Sequence, residues 1–189
     1  MAKIVFIPGN SGSTTHDNWF PGVKTELEAT GLKIVQAEFP DPQLGRESIW
    51  LPFLLNELKV DENTILIGHS TGAIASMRLA ETHKIFGSVL VGAYYSDLGI
   101  EAEKLSGYFD KPWNWSNIVS NQKWISLFAS EDDEFIPIEE PRYIHSKLNC
   151  EYHEYKDQGH FFRDTYCKET MAKEIALALI RNIDRKSVV

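Results

Sequence analysis

A serine, an acid and a histidine stand in this chain in an order that suits nucleophilic catalysis: Ser70, then Asp132 or Asp133, then His160. A serine hydroxyl attacks poorly until a base takes its proton. An imidazole serves as that base best when a carboxylate fixes its tautomer and stabilises its cation. The chemistry such a set performs is acyl transfer. Ser70 lies in Gly68-His69-Ser70-Thr71-Gly72, a match to G-x-S-x-G. That pattern carries a nucleophile when a strand precedes it and a helix follows it. A tight strand-to-helix turn crowds the positions two before and two after the serine, and glycine at 68 and 72 omits the Cβ atoms that would collide there. The hydroxyl then stands at a helix N-terminus, whose dipole favours developing negative charge.

The flanks of the motif have the required character. Thr64–Ile67 is a short, β-branched apolar run of the kind that forms a buried parallel strand. Ala73, Ile74, Ala75, Met77 and Ala80 follow as a small-residue helical segment. The remaining histidines suggest no other chemistry. His69 abuts Ser70 but points away along the turn, as a packing residue. His16, His83, His145 and His153 show no H-E-x-x-H or Cys-His pairing, so no metal site is expected.

The elements that must hold these groups alternate along the chain. Ile4–Ile7 reads as a first strand, ending in the loop Pro8-Gly9-Asn10-Ser11-Gly12-Ser13. That loop lacks the Lys-Ser/Thr of a P-loop and the spacing of G-x-G-x-x-G. It fits better as a flexible backbone loop whose N–H groups, at Asn10 or Ser11, join that of Thr71 in receiving an oxyanion. A helix over about Asn18 to Thr30 precedes a second strand, Lys33–Glu38, and Glu47–Leu58 reads as a further helix. After the serine motif come strands at Ser88–Val91, Trp124–Ala129 and Glu151–Tyr155, with helices over about Ile138–Leu148 and Thr165–Ile183. Six strands alternating with helices predict a three-layer α/β sandwich around a parallel sheet, as one domain spanning 1–189. The acids then follow strand five and His160 follows strand six. Both lie at carboxyl ends of strands, the edge from which Ser70 projects.

Residues 92–123 break the alternation. They are dense in rings (Tyr94, Tyr95, Tyr108, Phe109, Trp113, Trp115) without helical or strand period, and such long loops are often functional. Trp113, Trp115 and Tyr94, with Phe161 beside His160, are the candidates for an apolar substrate wall. The segment is too short for a multi-helix lid, so small or medium acyl groups are expected and long-chain triglycerides are not.

Composition limits the alternatives. The 189 residues are 43% apolar and carry a net charge of −8, a balance that argues against binding nucleic acid through a basic footprint. Two cysteines, Cys150 and Cys167, build no disulfide framework and point to a reducing intracellular compartment, cytoplasmic or nuclear. The apolar run at the amino terminus is too short for a signal peptide, and no run approaches a membrane span.

Several stretches carry a family resemblance: Val5-Phe6-Ile7-Pro8-Gly9-Asn10, Arg46-Glu47-Ser48-Ile49-Trp50-Leu51-Pro52-Phe53, Ile67 through Ala75, Ser106-Gly107-Tyr108-Phe109 and Gly159-His160-Phe161. In these the chain resembles the small serine hydrolases typified by retinoblastoma-binding protein 9, a compact branch of the α/β-hydrolases. The resemblance implies strand order 2-1-3-4-5-6, Ser70 as nucleophile, Asp133 as acid and His160 as base, with no cofactor. Pro137, four residues beyond Asp133, matches the hydrolase spacing and favours Asp133 over Asp132. It further implies a small-molecule or short-peptide substrate. The namesake's L-x-C-x-E motif is incomplete at Leu58-Lys59-Val60-Asp61-Glu62: Val60 replaces the cysteine that a retinoblastoma-type interaction uses. The competing class is a non-catalytic binding module on the same scaffold.

Overall fold

Alternate residues of the central strands face opposite ways, and the two faces are both apolar. In a computed structural model, which describes residues 2–186, Val5, Ile7, Leu66, Leu90 and Leu127 belong to one buried cluster. Ile4, Phe6, Ile65, Ile67, Val89 and Phe128 belong to the other. A sheet apolar on both faces must be covered on both, which is the condition for parallel strands with crossover helices. The strands are β1 (Lys3–Ile7), β2 (Lys33–Val35), β3 (Thr64–His69), β4 (Gly87–Val91), β5 (Ile125–Ser130) and β6 (Glu151–Tyr155). They pair in parallel throughout, in the order β2-β1-β3-β4-β5-β6. The ends of the expected 1–189 domain, Met1 and residues 187–189, lie outside the described residues.

Helices α1 (Phe20–Leu27) and α7 (Thr165–Lys186) cover one face. The other carries α2 (Glu47–Asn56), α3 (Thr71–Ala80), α5 (Trp115–Ser120) and α6 (Glu139–Leu148), with the short α4 (Glu101–Ser106) in the loop after β4. All ten residues of α3 are buried. Its alanines let it lie close on the sheet while α2 and α5 cover its outer side. Val60, in the incomplete motif, is buried in the α2–α3 core.

Two sequence expectations are corrected. The second strand stops at Val35 rather than Glu38: it is an edge strand that pairs only with β1, and that register ends at Val5↔Val35. Residues 92–123 are not without helices, since α4 and α5 fall within them. Each is only six residues long and is held by contacts rather than by periodicity. The organiser of the aromatic stretch is Arg78 on α3, which is 1% exposed. Its guanidinium donates to the carbonyls of Tyr108 (2.8 Å), Lys111 (2.7 Å) and Pro112 (3.2 Å), and to Glu81 Oε1 at 2.8 Å. The Trp113 ring lies 3.6 Å from its central carbon. Glu81 in turn accepts from the Asn114 backbone N–H.

One cation thus satisfies three carbonyls and one carboxylate in a dry place. Removing it leaves the three carbonyls without a partner and Glu81 Oε1 with only the Asn114 N–H, and breaking a buried pair from one side typically costs about 3–5 kcal/mol. Arg78→Ala is therefore expected to lower unfolding stability by about that amount in urea titration. A loss below about 1 kcal/mol would contradict this account of the segment.

Candidate active site

The turn from β3 into α3 puts Ser70 at φ 55°, ψ −121°, a conformation that non-glycine residues rarely adopt. Close approach of backbone makes the flanking glycines necessary. A Cβ on Gly68 would stand 2.3 Å from the Gly72 carbonyl oxygen, and one on Gly72 would stand 2.2 Å from that of Ile7. Neither neighbour can yield, because both are main chain.

His160 lies in the loop after β6, with Nδ1 2.7 Å from Asp133 Oδ2. The two side chains are 6% and 3% exposed. The other oxygen of Asp133 accepts the N–H groups of Phe135 (2.9 Å) and Ile136 (3.0 Å), which fixes the carboxylate's aim. With Nδ1–H donating to Asp133, the imidazole presents an unprotonated Nε2. Among the described residues neither that nitrogen nor Ser70 Oγ has a hydrogen-bond partner, so both are free toward the cavity that the two residues line.

Asp132 has a different task. Its Oδ1 accepts from Ser130 Oγ and from the Gly159 N–H, each at 2.8 Å, and its Oδ2 pairs with Arg163 at 3.0 Å. Burial would raise its carboxyl, but these partners outweigh that and hold it below the usual carboxylate range. It ties the loop bearing His160 to the turn after β5. His69 supports the same loop: its Nε2 donates to the His160 carbonyl at 3.0 Å. Burial pushes the His69 imidazole down to about 3, so it stays neutral.

The loop after β1 covers Ser70 from the opposite side. A Cβ on Gly9 would meet Ser70 Cβ at 3.4 Å, ordinary contact. The N–H of Ser11 is already committed to the Gln43 carbonyl at 3.1 Å. Those of Asn10 and Thr71 have no partner among the described residues. Of the alternatives open in the sequence, Asn10 therefore keeps a free donor and Ser11 does not.

Ser70 and His160 open onto a cavity of about 440 Å³, within the range of small-molecule sites. Its apolar lining comes from Leu98, Ile100, Phe135, Ile136 and Phe162, with Tyr94 and Glu103 at its polar side. Of the expected wall residues only Tyr94 lines it. Trp113 and Trp115 stack on each other at 5.3 Å, Trp113 Nε1 donates to the Tyr95 carbonyl, and Arg78 occupies the Trp113 face. Phe161 is fully buried in the α1–α7 core. Its φ of 64° turns the side chain inward and leaves Phe162 to face the cavity.

Glu103 carries no sequence signal of its own. It is 7% exposed, and it accepts from Asn10 Nδ2 at 2.9 Å and from the Tyr94 hydroxyl at 2.7 Å. Burial raises its carboxyl above the usual range against the pull of those two bonds, and burial keeps the Tyr94 phenol protonated. Among the described residues no group of three or more His, Cys, Asp or Glu side chains is placed to hold a metal ion, and no helix is long and apolar enough to cross a membrane.

The chain is 47% identical over 162 residues to the serine hydrolase RBBP9 of Rattus norvegicus, covering 84% of this chain and 87% of that one. Its fold is similar to the crystal structure of the ydeN gene product of Bacillus subtilis, with TM-score 0.84, 24% identity and coverage of 97% and 100%. It is also similar to the ferulic acid complex of Est1E from Butyrivibrio proteoclasticus, with TM-score 0.78, 13% identity and coverage of 97% and 90%. The sequence profile of the serine hydrolase family matches residues 4–177, and the chain belongs to that family.

Proposed function

We propose that the protein hydrolyses small or medium hydrophobic ester, aminoacyl or amide substrates through an acyl-enzyme on Ser70. The observation that carries this reading is the shared cavity: Ser70 and His160 both line it, and His160 is bonded through Nδ1 to a fully anchored Asp133. Ser70 Oγ attacks the substrate carbonyl carbon as His160 Nε2 takes the hydroxyl proton. The carbonyl oxygen becomes an oxyanion and receives the N–H groups of Asn10 and Thr71, with the α3 dipole behind the latter. Collapse expels the alcohol or amine, which leaves with the proton from His160. Water then gives a proton to His160, attacks the acyl carbon and releases the acid, and Ser70 recovers its hydrogen. Asp133 remains ionised throughout, holding the tautomer and stabilising the imidazolium.

The cavity's apolar side supports the substrate preference. Phe135 and Ile100 stand at its mouth, 52% and 44% exposed, where an acyl or aminoacyl side chain would cover them. A ring contact there contributes about 1 kcal/mol, or roughly five-fold in rate. The test is kcat/KM across a series of p-nitrophenyl esters from acetyl to long-chain and aryl acyl groups. Medium and aryl groups should lead, and Phe135→Ala should erase about five-fold of their advantage over acetyl. Trp113→Ala should leave selectivity unchanged. A preference for long chains, or selectivity moved by Trp113 and not by Phe135, would contradict the assignment of the wall.

A further inference from the structure

We infer that Glu103 is a positioning residue that sets the two oxyanion donors by bridging the loops on which they sit. The inference rests on the hydrolase reading above and deepens it. Two separate chain segments supply the donors, the loop after β1 at Asn10 and the start of α3 at Thr71, and the β1–β3 pairing ends at Ile7↔Gly68, before either of them. A connected set of hydrogen bonds links the two. Glu103 Oε1 accepts from Asn10 Nδ2 at 2.9 Å, and Oε2 accepts from the Tyr94 hydroxyl at 2.7 Å. Because that phenol spends its proton on Glu103, its oxygen accepts from Thr71 Oγ1, 3.2 Å away. Each donor residue is thus held by its own side chain, one directly and one through Tyr94, to a single carboxylate.

The arrangement has a reason in physical chemistry. An oxyanion hole works by being aimed before charge develops, and a donor displaced by a fraction of an ångström loses most of its effect. The loop after β1 is glycine-rich and is held on its far side by the N–H groups of Ser11 and Gly12, which donate to the carbonyls of Gln43 and Pro42 at 3.1 and 2.9 Å; Glu103 holds it at Asn10 itself. A carboxylate is a suitable one, since two oxygens accept from two directions at once and charge-assisted bonds are short and strong. Glutamine can preserve the connectivity. Its Oε1 accepts from Asn10, its Nε2 donates to Tyr94, and the phenol then donates to Thr71 instead of accepting from it. Alanine cannot.

The experiment compares wild type, Glu103→Ala and Glu103→Gln, with kcat expressed per site titrated by a fluorophosphonate. Affinity for an aryl boronic acid, whose adduct with a serine is tetrahedral, is measured alongside. Removing one oxyanion donor outright costs about 10²–10³-fold in kcat. Misaiming should cost less: Glu103→Ala is expected to lose about 10- to 100-fold in kcat per titrated site, with KM within about three-fold of wild type. Boronate affinity should fall in step with kcat/KM, and Glu103→Gln should retain activity within about three-fold. An unchanged kcat per titrated site in Glu103→Ala would reduce the residue to a stability role and overturn the inference. A raised KM at unchanged kcat would make it a substrate contact and overturn it as well, as would a Gln variant no better than Ala. Wild-type protein that the fluorophosphonate fails to titrate would instead overturn the hydrolase reading, and the inference would fall with it.

Discussion

Asp133→Asn is expected to lower kcat by up to about 10⁴-fold, because an amide facing His160 Nδ1 can donate and so stabilises the wrong imidazole tautomer. The tautomer is decided by one bond, the 2.7 Å contact between Nδ1 and Oδ2. The other oxygen's bonds to Phe135 and Ile136 hold the group in place whichever side chain is present. Asp132→Asn keeps an oxygen for Ser130 and Gly159 and gives up only the partly exposed pair with Arg163, so its loss should stay within about ten-fold. Steady-state kinetics on one activated ester distinguishes the two. The reverse order would move the acid to Asp132 and make Asp133 the brace.

Ser70→Ala carries the largest expected loss, on the order of 10⁶-fold in kcat for an enzyme that depends on a serine nucleophile. The remaining donors and cavity still leave about 10³–10⁴-fold over the uncatalysed reaction. Folding should be unaffected: the substitution removes one oxygen that has no partner among the described residues, while the backbone keeps the φ of 55° that the turn demands. A thermal midpoint within a few degrees of wild type, with turnover lost, is the expected pair of results. Turnover near wild type would remove Ser70 from the chemistry.

The sheet was legible because its signals are local. Ile4–Ile7, Thr64–Ile67 and Ser88–Val91 are short apolar runs that end in glycine or proline, and β-branching separates them from helices of the same hydropathy. Parallel order and right-handed crossovers then place Ser70, Asp133 and His160 at one edge without knowledge of any contact. What could not be read depends on long-range partners. Arg78 orders residues 107–115 through backbone carbonyls, which every residue has and no side-chain pattern marks. The exchange of Phe161 for Phe162 at the cavity follows from one left-handed residue, invisible in a Gly-His-Phe-Phe string. Ser11 lost its free N–H to Gln43, a residue in a different loop. Glu103 has no mark in its local sequence, because its partners Asn10 and Tyr94 reach it only through the fold.

The central claim is that Ser70 is an activated nucleophile, and a fluorophosphonate tests it most directly. The reagent bonds to a serine oxygen that a neighbouring base activates, with departure of fluoride. Purified protein should gain the mass of one phosphonyl group, and peptide mapping should place it on Ser70. The gain should vanish in Ser70→Ala and slow strongly in Asp133→Asn. Absence of labelling in the folded wild-type protein, or a label on another serine, would contradict the account.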